Sequence, residues 1–367
     1  MTPCSPSPVD ARWIFDRPEL RRVLESLVYP QETIALLLEA AETLGRDEGA
    51  RRSFLDFRDA WLSEQQEQLE DPGKSLWHAL AVVSAYPALF EAHRRRGVPW
   101  EVTVNTLEDL PLRMNEFYRI YGFRGFDAQR WMRNHVTERL YQLGRLQFVH
   151  GKFGFSSNVY QVGSEPVPLL RSGFTCSPEG WLMPEDNTPA DGWQPELTLR
   201  DGFLYGHTTE PDGRISREET AIPAESPLLL GPESDVLYTH IPTGGPLDTD
   251  ACRASIARAI PFFDQYYPEQ RWAAVCCISW LLDRAMADFD SPPAKIVAFG
   301  ALYRPLACFT RDPNHYLRWI FGPKTTLEEA RAVPSPTRLQ KGVLDYVARG
   351  GQPRPGGGYI LRDETAR

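Results

Sequence analysis

The chain has 367 residues and a formal net charge of −9. It is too long for one ordinary core, and its charge has the wrong sign for a phosphate backbone or an anionic membrane as main partner. With 42 % apolar and 24 % charged residues it has the mix of an ordinary globular protein, so a disordered or fibrous chain is excluded.

Residues 1–145 read mostly as helix. Ile34, Leu37, Leu38, Ala41 and Leu44 form one apolar stripe after Pro30, and Phe54, Phe57 and Trp61 continue the pattern in the next segment. The basic run His93-Arg94-Arg95-Arg96 stands just before Gly97, where cations suit the negative end of a helix and need no acidic partner. Asp127 as N-cap and Gly144 as C′ residue bracket a further helix, with Met132, Val136, Leu140 and Leu143 as its stripe. From Arg145 to His150 the pattern alternates as in a half-buried strand, with Arg145 and Gln147 on one face. Such a pair at a domain junction holds a carboxylate or ties the two halves together.

Residues 146–230 are rich in Gly, Pro, Ser and Asp and read as a small β-meander, with Pro211-Asp212-Gly213 as a turn. From 231 onward strands and helices alternate. Strands are expected at 235–241, 271–279, 295–299, 316–321 and 358–361; helices are expected from Asp248, over 281–288 and from Thr337 to Arg349. Three parts follow: a helical domain over 1–145, a β-rich connection over 146–230 and an α/β domain over 231–367, α+β overall.

The longest apolar run, Ala273 to Leu282 (broken only by Ser279), falls far short of a membrane span. Met1-Thr2-Pro3-Cys4 shows no charged region followed by an apolar one, so a cytoplasmic protein is expected. The cysteines at 4, 176, 252, 276, 277 and 308 lack CxxC spacing and read as reduced core thiols. Within a regular strand Cys276 and Cys277 point apart, which excludes a shared metal site or a mutual disulfide. The seven histidines lack ligand spacing, so no metal is expected. GxSxG, Walker, GxGxxG and HExxH strings are absent.

Three stretches carry a family resemblance. The first is Leu143-Gly144-Arg145-Leu146-Gln147-Phe148. The second runs from His240-Ile241-Pro242 through Gly244-Gly245-Pro246-Leu247 and a helix holding Ser255, Ala259, Phe262 and Phe263 to Cys277-Ile278-Ser279-Trp280-Leu281-Leu282. The third is Thr337-Arg338-Leu339-Gln340-Lys341 with Gly350-Gly351 and Gly356-Gly357-Gly358. Together they resemble the bacterial acyltransferase domain-containing family, in which a helical N-acyltransferase N-terminal domain packs on a C-terminal domain with the GNAT-like mixed sheet. The resemblance implies acyl-CoA or acetyl-CoA as co-substrate and direct transfer of the acyl group to an amine of a small molecule or peptide. The Arg/Gln-x-x-Gly-x-Gly/Ala turn that cradles the CoA pyrophosphate in better-studied GNAT enzymes is missing. That departure favours a reading from another class, a non-catalytic ligand-binding or interaction protein that kept the fold.

Two segments could meet an anion. In Thr243-Gly244-Gly245-Pro246-Leu247 the glycines permit close approach of a phosphate to the backbone, although Asp248 as N-cap would occupy the following amides. Thr337 and Gln340 have capping-box spacing, with Arg338 and Lys341 on the first turn, where the helix dipole disfavours cations unless an anion is bound. For chemistry, His240 ends a largely apolar strand before the Gly-rich turn and could deprotonate an amine. Its other reading is a core histidine satisfied by backbone. Cys277 could accept an acyl group or be an inert core thiol. Ser279 could protonate a departing thiolate or orient a water, or cap a helix as Asp283 would.

Overall fold

The computed structural model describes residues 11–66, 75–187 and 189–365, so Cys4 and the first residues lie outside it. The chain forms two compact units, 1–149 with 241–245, and 150–240 with 246–367.

The first unit is helical: α1 (Arg17–Ser26), α2 (Gln31–Gly45), α3 (Glu48–Leu62), α4 (Ser75–Ser84), α5 (Tyr86–Arg96), α6 (Trp100–Leu107), α7 (Asp109–Tyr121) and α8 (Gln129–Val136). Side chains start two of them: Asp16 accepts from Glu19 N and Asp47 from Ala50 N, each filling an amide left open by the first turn. The α2 stripe is buried as its spacing predicts, and α5 ends on left-handed Gly97 at φ +76°. Ala79 to Val83 of α4 are wholly buried among Phe54, Trp61, Leu110 and Met132.

One boundary differs from the sequence reading. Helix α8 stops at Val136, its N-cap is Ala128, and Asp127 instead accepts from the Tyr121 hydroxyl. Leu140 and Leu143 lie on a strand, β1 (Leu140–Leu143), and Gly144 at φ +82° turns it into β2 (Leu146–Lys152), with Leu143 opposite Leu146. Thr137 Oγ1 donates to Arg133 O and Glu138 takes φ +56°, which ends the helix. The same leucines are buried, but on a period of two.

The second unit opens with strands. β3 (Ser157–Val162), β4 (Glu165–Leu170), β7 (Thr198–Arg200), β8 (Phe203–Thr209), β9 (Ile215–Pro223) and β10 (Leu228–Leu230) form one sheet in the order β10-β3-β4-β8-β7, with β9 also on β8; β5 (Thr175–Cys176) and β6 (Leu182–Met183) pair apart. The turn at 211–213 joins β8 to β9, with Arg214 N donating to Asp212 Oδ1 at 3.0 Å.

Then come β11 (Asp235–His240), α9 (Thr249–Tyr266), β12 (Ala274–Ser279), α10 (Ala294–Gly300), β13 (Arg304–Leu306), α11 (His315–Ile320), α12 (Leu327–Arg331), α13 (Arg338–Ala348) and β14 (Gly356–Leu361). Strands β11, β12, β14 and β13 lie side by side in that order, β11 and β12 parallel as expected of strands joined through a helix. The expected strands at 295–299 and 316–321 are helices. Ile296 N and Val297 N both bond Pro293 O, which winds α10, and only Phe299 and Gly300 of α10 are buried. In α11, Tyr316 and Leu317 bury one face against Met286, Phe289 and Val343. No described helix is long and apolar enough to cross a membrane.

Candidate active site

The ladder between β11 and β12 runs through Val236↔Ala274 and Leu237↔Val275 and stops at Tyr238↔Cys276. On its other side β12 goes on pairing with β14 as far as Ser279↔Gly356. Thr239 and His240 therefore lie beyond the shared ladder, as do Cys277, Ile278 and Ser279. Two parallel strands that part offer facing backbone donors and acceptors to an extended ligand, by the physics of an added strand.

The register fixes which side chains share a face. Val236, Tyr238 and His240 lie with Ala274, Cys276 and Ile278. Val236, Ala274 and Cys276 join Phe153, Phe155 and Tyr359 in a buried cluster. Tyr238 is fastened there, its hydroxyl accepting from Gly154 N at 2.8 Å and donating to Lys152 O at 3.0 Å. Burial pushes that hydroxyl to about 12, so it stays protonated. At the end of this face the cover stops: His240 is half-buried and Ile278 is 50 % exposed although it stands inside the sheet.

Cys277 and Ser279 project to the opposite face, with Leu237, Thr239 and Val275. Thr239 Oγ1 accepts from the buried Tyr303 hydroxyl at 3.0 Å. Burial, and then the neighbouring Cys308, hold the Cys277 thiol far above its ordinary range, and a protonated thiol is a poor nucleophile. Ser279 Oγ accepts from Leu281 N and caps the 3₁₀ turn 280–282; Asp283 in the same way accepts from Ala285 N and caps 284–288. The structure thus leaves His240 apart from Cys277 and Ser279.

The turn candidate is exposed at Thr243, Gly244 and Gly245, and Gly244 stands at φ +98°, where a side chain would be strained. Arg145 grips the turn, its two guanidinium NH2 groups donating to Pro242 O and Gly245 O, each at 3.0 Å. Arg145 thus ties backbone carbonyls of the turn, while Gln147 donates to Gln142. Asp248 accepts from Ala251 N at 2.9 Å and so occupies one amide at the start of α9. At α13 the Thr337–Gln340 capping box is complete. Arg338 is exposed, and Lys341 pairs with Asp345 at 2.5 Å along the helix. Among the described residues no cluster of His, Cys, Asp and Glu is placed to hold a metal ion.

Sequence reasoning did not single out Tyr303 or Ile278. Tyr303 lies in a connection without periodicity, and the exposure of Ile278 depends on where a neighbouring strand stops.

A helical first half followed by a mixed sheet with a parallel pair that parts at its end defines a class, and the family comparison agrees with it. The N-acyltransferase N-terminal domain matches residues 18–137 and the GNAT-like C-terminal domain matches residues 140–360. The chain belongs to this acyltransferase family. Similar solved structures include an acyltransferase mutant in complex with octanoyl-CoA and an acyltransferase in complex with decanoyl-CoA and teicoplanin. Each has a TM-score of 0.60 and 19 % identity, covering 94 % of this chain and 88 % of that chain. A third, in complex with CoA and 10C-teicoplanin, has a TM-score of 0.59 and 19 % identity over 94 % and 87 %. At that identity the likeness is one of fold. No curated protein matches the chain in sequence.

Proposed function

We propose that this acyltransferase takes its acyl group from acyl-CoA and passes it directly to an amine of a small molecule or peptide. The observation that carries the reading is the pair of family matches over 18–137 and 140–360, in a fold shared with acyltransferases that hold octanoyl- or decanoyl-CoA. The amine nitrogen attacks the thioester carbonyl carbon, a C–N bond forms, the C–S bond breaks and the electron pair leaves on sulfur. Backbone N–H groups where β11 and β12 part would polarise the carbonyl. His240, at the open end of its face, would take the amine proton, and the thiolate departs as CoA or takes a proton from solvent. Two separate candidates exist for the CoA phosphates: the turn Thr243, Gly244 and Gly245, with exposed backbone, or the start of α13, where Arg338 is exposed and forms no ion pair among the described residues.

The test incubates the protein with acetyl-, octanoyl- and decanoyl-CoA and a panel of amines, reading free CoA and acylated product by mass spectrometry. Transfer to an amine is expected. His240→Ala should lower turnover about 100-fold or more with the fold intact. His240→Asn should do the same, because Asn keeps a hydrogen bond but takes no proton near neutral pH. Near-normal turnover with Asn would make His240 structural.

A non-catalytic ligand-binding protein is the second reading. The missing pyrophosphate motif favours it, as does the occupation of one α9 amide by Asp248. It expects acyl-CoA to bind and no product to form.

A further inference from the structure

The second unit holds a cavity of about 150 Å³ beside the end of β12. Asp283, Arg284 and Arg354 face it, together with Trp181, Tyr346 and Cys308. Asp283 follows the turn that closes β12, and each of its oxygens accepts one backbone N–H at 3.0 Å, from Ala285 and from Arg354. Each oxygen keeps a second acceptor direction. No cation lies within ion-pair distance of it among the described residues. Arg284 gives one N–H to Tyr303 O at 2.8 Å. Arg354 gives one to Gln352 Oε1 at 2.6 Å and lies over the Trp181 ring at 4.5 Å. Neither guanidinium has a recorded ion pair among the described residues. Of the other carboxylates lining the cavity, Asp212 is held by Arg214 at 2.6 Å and Asp288 is exposed.

One cavity therefore keeps a carboxylate and two guanidiniums, all partly buried and none paired with another. Taking charges out of water without partners is unfavourable, and a protein that wanted only stability would close such groups on each other. Burial raises the Asp283 carboxyl to about 6 and lowers both guanidiniums; the attraction between Asp283 and Arg354, and that of Glu179 for Arg354, offset it only in part.

We propose that this cavity binds a small zwitterion, its ammonium on Asp283 and its carboxylate on Arg354 and Arg284. The size agrees: a cavity of 150 Å³ accepts benzene, a ligand of about six heavy atoms, which is also the size of L-alanine or β-alanine. The acyl-transfer reading is not required, and the binding test uses no acyl-CoA, so the two succeed or fail separately.

Calorimetric titration of the full chain with L-alanine, β-alanine and 4-aminobutyrate is compared with propionate and ethylamine, which each carry one half of the charge pair. At least one zwitterion should bind about tenfold or more tighter than either half. Arg354→Gln and Arg284→Gln should each weaken that binding about tenfold, and Asp283→Asn should erase the preference over propionate. Should Asp283→Asn fail to fold through loss of its cap, the two arginine variants decide, since neither side chain caps an element. Equal affinities for zwitterions and halves, no binding of any zwitterion at about 10 mM, or unchanged affinity in both arginine variants would overturn the proposal.

Discussion

Asp109, at the first position of α7, has no solvent exposure and sits 2.7 Å from Trp131 Nε1, 3.1 Å from His135 Nε2 and 3.3 Å from Arg113 Nε. Burial alone would raise its carboxyl, but the close His135 ring, the Arg113 charge and the bond from Trp131 outweigh it and hold the group well below the usual carboxylate range. A carboxyl depressed in the folded state stabilises above its unfolded value of about 4, and that stabilisation is lost as pH falls below it. Asp109→Asn should therefore cost about 3 kcal/mol at pH 7, with the gap to the parent narrowing below pH ~4 in urea titrations. His93 works through burial too. Burial and the nearby Arg96 charge pull its ring to about 4, while Nδ1 stays 2.7 Å from Thr103 Oγ1. The unfolded ring, near 6.5, takes its proton first, so stability is full above about pH 6.5 and declines towards pH 4. His93→Gln should be less stable than the parent at pH 7 and should lack that decline. At the candidate site, strand alternation alone separated His240 from Leu237 and Thr239. The separation of His240 from Cys277 and Ser279 needed the register with β12, which no residue in either strand announces.

Strand β14 begins with three glycines that have steric work to do. A Cβ at Gly356 would lie 2.0 Å from Leu282 O, and one at Gly358 would lie 2.6 Å from Tyr303 Cβ and 2.8 Å from Arg304 O. Backbone oxygens cannot swing aside as a side-chain tip can. Gly356→Ala and Gly358→Ala should each cost about 1–3 kcal/mol or more in thermal unfolding. Alanine tolerated at both would mean that β14 can slide away from β12 and β13. Elements with long, regular periodicity were legible: the α2 stripe, the Asp248 cap of α9 and the Thr337–Gln340 box all stand where their residues indicated. Short apolar runs were not. Lys295 to Phe299 carries β-branched residues in a helix because Pro293 winds its first turn, and Leu140 and Leu143 fit both a period of 3.6 and a period of two. Arg304–Leu306 is too short for any period to show.

For the whole molecule, acyl-CoA binding should register as stability. Octanoyl-CoA at 100 times its dissociation constant adds about 2.7 kcal/mol to the folded state. A rise in melting temperature is therefore expected with acyl-CoA and not with free pantothenate, which lacks the nucleotide phosphates. No shift at any acyl chain length would count against the CoA site and leave the helical first unit unaffected. A helical first part followed by a sheet was legible from the residue pattern, although the strands begin at Leu140, inside the expected helix. The glycine turn was legible as a turn. Its attachment to Arg145 was not, because 97 residues separate Arg145 from Pro242.

That attachment bears on how such a protein can be rearranged. Ile241–Gly245 belongs to the helical unit, although the residues on both sides of it belong to the other. The polypeptide thus passes from one unit to the other at three points, after Val149, after His240 and after Gly245. A chimaera made by a single crossover at residue 149 would combine the helices of one parent with the turn of another, and Arg145 would meet carbonyls it was not matched to. Recombination in this family should therefore be tolerated when the turn travels with the helices and penalised when it does not. A library of two-parent hybrids, sorted for soluble expression, would display that linkage between residue 145 and residues 242–245.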